Sequence, residues 1–186
     1  MINRVSALTT NYKIGSLKVD EKITLTFHEI RDLEIRQIAA WPSTIESVDL
    51  KLASIINATK TPGFNQSLSN NNKHILRMEP LKWWIIGSVN IELESELGVI
   101  VDLSHAYTLI EIKGYSVKNF LNRHLSLDLR NLSFPVNSTA SSSIHHVSVK
   151  IWRTELGYRL FIPRGFALSI WKILLETAAQ FGYEIL

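Results

Sequence analysis

The chain has 186 residues, 46% hydrophobic and 20% charged, which is enough for one globular domain with a sizeable core. Its 20 Lys and Arg exceed its 17 Asp and Glu by only three, and they do not cluster, so the charge argues against a nucleic-acid partner. The lack of cysteine excludes disulfides and thiolate chemistry. With no apolar run of the length that a membrane helix needs, the sequence predicts a cytoplasmic protein without a membrane partner.

The polar residues 1–20 show no periodic pattern and predict a flexible N-terminal arm, and residues 21–186 are predicted to form a single domain. In "KITLTFHEI" and "DLEIRQIAAW" apolar residues alternate with polar ones. This period of two is typical of half-buried strands, so the two segments predict a hairpin.

A helix, a loop and two strands are expected next. In "STIESVDLKLASIINATKTPG", Ser43 stands three residues before Glu46, a capping-box pattern. Apolar residues then recur at helical spacing over 45–55. The polar run from Asn65 to Lys73 indicates a flexible loop, and "HILRMEP" and "KWWIIGS" predict strands.

The second half of the chain predicts strands and helices in the order β-α-β-β-α. Strands are expected at 99–103 and 108–112, helices at 116–125 and 164–181, and a hairpin from "SSSIHHVSVKIWR" and "YRLFIP". This order is the split βαβ arrangement of ferredoxin-like domains, so the predicted fold class is α+β, a single two-layer domain. The predicted core contains Ile110, Ile112, Phe120, Leu121, Ile151, Leu160, Ile162, Ile170 and Leu174.

The stretch "GVIVDLSHAYTLIEIKG" places Asp102, Ser104 and His105 together, the residue types of a nucleophilic hydrolase. A nucleophilic serine usually lies on a sharp strand-to-helix turn between glycines, and Ser104 has neither the glycines nor a following helix. We therefore interpret the three residues as a turn in which Asp102 and Ser104 accept hydrogen bonds from nearby backbone amides.

The adjacent His145 and His146 suggest a metal site, but neighbours in a strand point to opposite faces, which makes a shared ion unfavourable. The eight glycines form no phosphate-binding loop, so no bound nucleotide or flavin is expected. The sequence thus predicts no catalytic, cofactor-binding or metal-binding residue in this chain.

The closing helix carries more apolar residues than one buried stripe requires. Its polar positions form one narrow line, whereas a surface helix usually needs an apolar stripe of only about 100°. Two explanations for this broad apolar surface are possible: a partner covers part of the helix, or the helix is buried deep in its own domain. The candidate subunit-interface residues are Trp83, Trp84, Phe166 and Trp171, because tryptophan often anchors interfaces. Since neighbours in a strand point to opposite faces, one of Trp83 and Trp84 is expected to await a partner.

Several stretches together resemble one family. They are "RMEPLKWWIIG", "GVIVDLSHAYTLIEIKGYSVKNFLNRHLSLDL", "VSVKIWR" and "YRLFIPRGFALSIWKILLETAAQFG". They look like the gamma subunit of heterotetrameric sarcosine oxidase and of related N-methyl amino acid dehydrogenases, over about the last 110 residues. The most specific pieces are D-L-S-H and P-R-x-F-A, and family members often have Ser at the position of Gly165.

The family is similar in fold to the folate-binding domain of the glycine-cleavage aminomethyltransferase. Those enzymes carry an acidic pair near the position of "SIHHVSV", where this chain has His145 and His146. The resemblance therefore implies a subunit without a catalytic carboxylate at that place.

The resemblance implies membership of a complex whose alpha subunit this chain contacts directly, with beta and delta subunits completing the heterotetramer. FAD, FMN, NAD, tetrahydrofolate and zinc are expected in those other subunits. The complex would oxidise the N-methyl group of sarcosine or a similar amino acid, and pass the carbon to tetrahydrofolate or release formaldehyde. The alternative is a small, free-standing folate-binding protein of the same fold.

Overall fold

A computed structural model describes residues 5–186. The chain divides into two compact units, whereas the sequence predicts a single domain. The first unit consists of the residues up to Asp32 with Ala106–Val136 and Ser141–Leu186, and the second of Leu33–His105 and Asn137–Ala140. Each unit builds a sheet of its own, and the single domain over residues 21–186 stays a prediction.

The sheet of the first unit has seven strands in the order β1-β12-β2-β8-β11-β10-β9. Their bounds are β1 Gly15–Leu17, β2 Leu25–Ile30, β8 Tyr107–Lys113, β9 Thr139–Ile144, β10 Val147–Arg153, β11 Tyr158–Pro163 and β12 Tyr183–Ile185. Two helices accompany them, α2 at Val117–Leu121 and α3 at Ala167–Ala178.

The predicted split βαβ arrangement is present in this sheet. Strand β11 lies between β8 and β10 and is antiparallel to both, so β8 and β10, which flank α2 in sequence, run parallel. Strand β12 pairs in parallel with β2, and β2 is inserted antiparallel next to β8. The predicted α+β class with a split βαβ second half is therefore confirmed, and β1, β2, β9 and β12 complete the seven-stranded sheet.

Both helices pack on the same face of this sheet. The Phe27 ring of β2 meets Phe120 of α2 edge to face at 5.5 Å and Trp171 of α3 at 5.6 Å. Because one side chain of a strand points to one face only, these contacts define a two-layer unit. The nine predicted core side chains are each at most 1% exposed, which confirms the predicted core.

The described part of the N-terminal segment departs from the predicted flexible arm. Leu8 is fully buried, the Tyr12 ring stacks on Trp171 at 5.4 Å, and Gly15–Leu17 pairs with β12. The Tyr12 hydroxyl accepts a hydrogen bond from the Glu29 amide at 2.7 Å. A few apolar and aromatic anchors hold this segment although its sequence has no period.

The sheet of the second unit has five strands in the order β4-β5-β6-β3-β7. Their bounds are β3 Ile35–Ala40, β4 Ser67–Asn70, β5 Lys73–Glu79, β6 Lys82–Ile86 and β7 Gly98–Asp102. Helix α1, Ile45–Ile55, covers one face, where Val48 and Leu52 join a core with Ile38 and Trp83.

Three local predictions for this part of the chain are wrong. The two alternating segments become β2 and β3 but do not form a hairpin, because β2 pairs with β8 and β12 while β3 pairs with β6 and β7. The polar run predicted as a loop forms β4 and its turn into β5. The N-cap of α1 is Thr44 and makes no side-chain capping bond, so the capping box at Ser43 is not formed.

Candidate functional site

Asp102, Ser104 and His105 lie where β7 ends and the chain turns toward β8. The Ser104 amide donates a hydrogen bond to Asp102 Oδ1 at 2.8 Å. This bond confirms the predicted turn, in which a short acidic side chain pairs with an amide two residues further on.

The Ser104 hydroxyl is held by the backbone at the start of β3. It accepts a hydrogen bond from the buried Ile35 amide at 3.1 Å and from Arg36 Nη1 at 3.3 Å. Its own proton faces the Ile35 carbonyl at 3.4 Å and the carboxylate of Asp102. Ser104 is only 7% exposed, so it joins two strands rather than facing an open cleft.

Charges and hydrogen bonds in the turn stabilise the ionised form of Asp102. Hydrogen bonds from the Ser104 hydroxyl and amide, together with the nearby Arg36, hold the pKa of Asp102 below its ordinary value. Arg36 Nη1 lies 2.5 Å from Asp102 Oδ2. A carboxylate with a lowered pKa is a weak proton acceptor, so Asp102 is poorly suited to activate Ser104 as a nucleophile.

His145 and His146 do not lie within a strand, which corrects the sequence interpretation. They form the two-residue turn between β9 and β10, with φ values of 44° and 68°. Both side chains are exposed. A hairpin turn with two positive φ values usually carries Asn-Gly, because β-carbons are unfavourable in the left-handed region.

The His124 ring packs against the buried Phe120 of the first unit. His124 is half-buried, and its ring meets Phe120 edge to face at 5.2 Å. Burial, reinforced by His145 and Arg123, lowers the pKa of His124. Among the described residues, no group of three or more His, Cys, Asp or Glu side chains is placed to hold a metal ion.

Two buried carboxylates in the first unit were missed by sequence reasoning. Glu29, 6% exposed, accepts hydrogen bonds from the Ser6 hydroxyl and, at 3.1 Å, from Arg31. Burial disfavours the charge of Glu111, yet Lys113 at 2.5 Å and Arg159 at 3.2 Å hold its pKa below the ordinary value. Alternation along β8 points the side chains of Glu111 and Ile110 to opposite faces of the sheet. Only the folded structure shows that the face of Glu111 is buried as well.

The predicted interface aromatics are mostly covered by this chain itself. Trp83 and Trp171 are fully buried, and Trp84 is 2% exposed with its indole donating to Gln37 at 3.0 Å. The expectation that one of Trp83 and Trp84 must await a partner is therefore wrong. Phe166 alone of the four stays open, at 53% exposed.

Helix α3 has one buried stripe and a less covered flank. Its buried residues are Ala167, Ile170, Trp171, Leu174 and Ala178, and Leu168, Ile173 and Leu175 are half-buried. The chain itself thus covers most of the broad apolar surface that the sequence shows.

A cavity of about 530 Å³ lies in the second unit between α1 and residues 59–63. At its wall the Arg77 guanidinium lies over the Trp83 ring at 4.9 Å and donates to the Pro80 carbonyl at 2.9 Å. Within residues 5–186, Arg77 Nε has no hydrogen-bond partner. The wall opposite is fixed by Asp49, which accepts hydrogen bonds from the amide and hydroxyl of Thr61.

In residues 5–186 no helix is long and apolar enough to cross a membrane.

Comparison with known proteins shows which family and fold the chain matches. The model of the family "Sarcosine oxidase, gamma subunit family" matches residues 87–180, or 94 of 186. No curated protein sequence matches the chain significantly. A chain of heterotetrameric sarcosine oxidase from Corynebacterium sp. U-96, in complex with pyrrole 2-carboxylate, is similar over 96% of both chains with a TM-score of 0.80 and 18% identity.

The glycine cleavage system aminomethyltransferase T from Bartonella henselae is also similar in structure. Its TM-score is 0.59 and its identity 13%, over 89% of this chain and 48% of that one. The chain thus spans about half the length of that enzyme. Both structural likenesses concern the fold, and they confirm the aminomethyltransferase-like architecture predicted from the sequence.

Proposed function

The chain belongs to the sarcosine oxidase gamma subunit family, and we propose that it serves as the gamma subunit of a complex that oxidatively demethylates an N-methyl amino acid. The observation that carries this proposal is the family match, which includes the Asp102-Leu103-Ser104-His105 turn and helix α3. The likeness to one chain of a heterotetrameric enzyme over 96% of both chains supports it.

Within that complex the role of this chain is structural. The turn geometry supports this role, because the Ser104 hydroxyl is bonded to the backbone of Ile35 and Asp102 is a weak base. The chain would brace the alpha subunit, with beta and delta subunits completing the assembly.

The chemistry belongs to the other subunits under this proposal. They hold FAD, FMN, NAD, tetrahydrofolate and zinc, oxidise the N-methyl group of sarcosine or a related amino acid to an imine, and pass the carbon to tetrahydrofolate or release formaldehyde. The assembly works in the cytoplasm, in sarcosine catabolism and one-carbon metabolism.

Co-expression with the flavoprotein subunits of a sarcosine oxidase-type complex tests the proposal. We expect the chain to copurify with them in a fixed ratio, and the complex to oxidise at least one of sarcosine, N-methylglutamate and dimethylglycine. Omitting the chain should lower the yield of assembled complex without changing turnover per assembled flavin by more than a few-fold. A chain that stays separate from every flavoprotein subunit would contradict the proposal.

The alternative, a free-standing folate-binding protein, is supported by the aminomethyltransferase-like fold and the cavity beside α1. The cavity volume of about 530 Å³ lies in the range of small-molecule sites, and the Arg77 side chain that lines it supplies a positive charge for a ligand carboxylate. Titration of the chain with tetrahydrofolate distinguishes the two functions. Saturable binding that Arg77→Gln weakens and Arg31→Gln leaves unchanged would favour the alternative.

A further inference from the structure

Strand β7 forms one edge of the second unit's sheet and has β3 as its strand partner. The Leu103 amide donates to the Ile35 carbonyl, and the Trp41 amide donates to the Leu97 carbonyl. Along an antiparallel strand, the backbone amide and carbonyl groups of successive residues point alternately toward the partner strand and away from it. The odd-numbered residues from Leu97 to Leu103 therefore bond to β3. The amides and carbonyls of Gly98, Ile100 and Asp102 therefore point away from β3. Gly98 is buried, so the accessible part of the free edge consists of Ile100 and Asp102.

The outward groups of β7 have no partner within the described chain. No backbone or side-chain hydrogen bond in residues 5–186 joins them. The strand also lacks the usual protection of an edge, since natural sheets place lysine, proline or a bulge there. Its only charged residue, Asp102, lies at the end and is paired with Arg36.

The side chains of β7 add an apolar row to this open edge. Val99 and Val101 point to one face and are 43% and 42% exposed, whereas Ile100 points to the other face and packs beside the core under α1. Trp41, at the end of the neighbouring strand, is 43% exposed. Two valines and a tryptophan form a surface that favours apolar side chains of a partner.

The other three sheet edges are different. Strand β1 has three residues, and β4 and β9 have the serine-rich sequences SLSN and TASSSI. Among the sheet edges within residues 5–186, only β7, with the sequence GVIVD, combines five paired residues with an uncharged β-branched centre, the composition that favours strand pairing.

We propose that β7 accepts an extended segment of another subunit of the complex as an additional strand of this sheet, a proposal that rests on the proposed gamma-subunit function. The backbone of that segment pairs with Ile100 and Asp102, and its apolar side chains cover Val99 and Val101. The exposed carboxylate of Glu96 lies just before the strand, so a segment with Lys or Arg beside its apolar residues fits best.

Hydrogen exchange in the assembled complex, resolved to single amides, tests the pairing directly. The amides of Val99 and Val101 serve as internal references, because they already bond to β3. We expect the amides of Ile100 and Asp102 to exchange at least about tenfold more slowly in the complex than in the chain alone, a change that corresponds to about 1.4 kcal/mol of protection. Unchanged exchange at these two amides in an intact complex would overturn the proposal while leaving the gamma-subunit function standing.

A substitution test uses Val101→Lys, with Leu156→Lys as the control at an exposed apolar residue in the β10–β11 turn. The lysine leaves the inward bonds of β7 intact but places a charge on the apolar row. We expect the recovery of this chain in the complex to fall about tenfold for Val101→Lys and to stay unchanged for Leu156→Lys. Equal recovery of both variants would overturn the proposal.

Two further outcomes show whether β7 pairs with another subunit, with a second copy of this chain, or with neither. Amide protection in the chain alone that rises with its concentration would identify a second copy as the occupant and overturn the proposal. If no complex forms with wild-type chain, the proposed function fails and the strand pairing fails with it.

Discussion

The turn after β7 and the turn between β9 and β10 carry similar residues but differ in burial and strain. In the first, Ser104 is 7% exposed and bonded to Ile35. In the second, His145 and His146 are exposed and both adopt positive φ. The difference shows that residue types associated with catalysis can serve either to fix a strand end or to close a hairpin.

The two turns also differ in the state of their polar side chains. In the serine turn, Ser104 donates hydrogen bonds to Asp102. The carboxylate of Asp102 is a weak base, because Ser104 and Arg36 stabilise its charged form. The histidine turn has accessible imidazoles, and its backbone requires the left-handed region at two successive residues. Single substitutions in the two turns are therefore expected to change the free energy of unfolding in different directions.

The largest expected difference between the turns is in the free energy of unfolding of Ser104→Ala. This substitution removes the acceptor of the buried Ile35 amide, and we expect a loss of about 1 to 3 kcal/mol. Ser143→Ala, at an exposed position of β9, is the control and should change stability by less than about 0.5 kcal/mol. Urea denaturation measures both, and equal stabilities would show that the Ser104 bond is not stabilising.

A smaller effect of opposite sign is expected for His146→Gly. Relief of a left-handed conformation is worth about 1 to 2 kcal/mol, and the greater chain entropy of glycine offsets about 0.5 to 1 kcal/mol. We expect a net gain of about 0.5 to 1 kcal/mol in the free energy of unfolding.

The matched control is His105→Gly in the other turn. His105 does not have positive φ, so glycine there relieves nothing and should lower stability by about 0.5 to 1 kcal/mol. Thermal or urea unfolding distinguishes the two variants. Destabilisation by both would mean that the histidine turn is not strained.

The pH dependence of stability sharpens the comparison at Asp102. Its folded pKa is lowered, so its contribution is fully present above the unfolded value of about 3.9 and is lost as pH falls through the folded pKa. Because the side chain is 55% exposed, the stability difference between wild type and Asp102→Asn should stay below about 1 kcal/mol at pH 7. It should shrink in acid, and a difference that grows there would contradict this sign.

The smallest effects are expected on turnover. Ser104→Ala, His105→Ala and the double change of His145 and His146 to Ala should leave oxidation of an N-methyl amino acid by the assembled complex within a few-fold. The measurement compares complexes at matched flavin content, since assembly itself must be checked. A loss of about a hundredfold or more for an intact complex would show acid–base work by this chain.

Local sequence patterns predicted much of the fold because they report which side chains are buried. The alternation in β8 and β11 and the spacing in α1 and α3 identified elements and core residues that the structure confirms. The D-L-S-H turn was also predicted correctly, since a short acidic side chain pairing with a nearby amide is a local interaction.

Pairing between distant segments was beyond such patterns. Both β2 and β3 have the correct period, but only the fold assigns them to different sheets. The polar run at Ser67–Asn70 became a strand because β5 offers it a ladder of backbone bonds. The positive φ values of His145 and His146 arise from closure of the hairpin, which outweighs the preference of each residue.

The sequence by itself determined the α+β class, the core residues and the resemblance to the gamma subunit family, because these depend on side-chain type and spacing. Tertiary structure alone decided that Trp83, Trp84 and Trp171 are buried and that β7 is an open apolar edge. The physical reason is that burial and edge position depend on which strands become neighbours. That choice is made by long-range backbone pairing and packing, which the period of a single segment does not record.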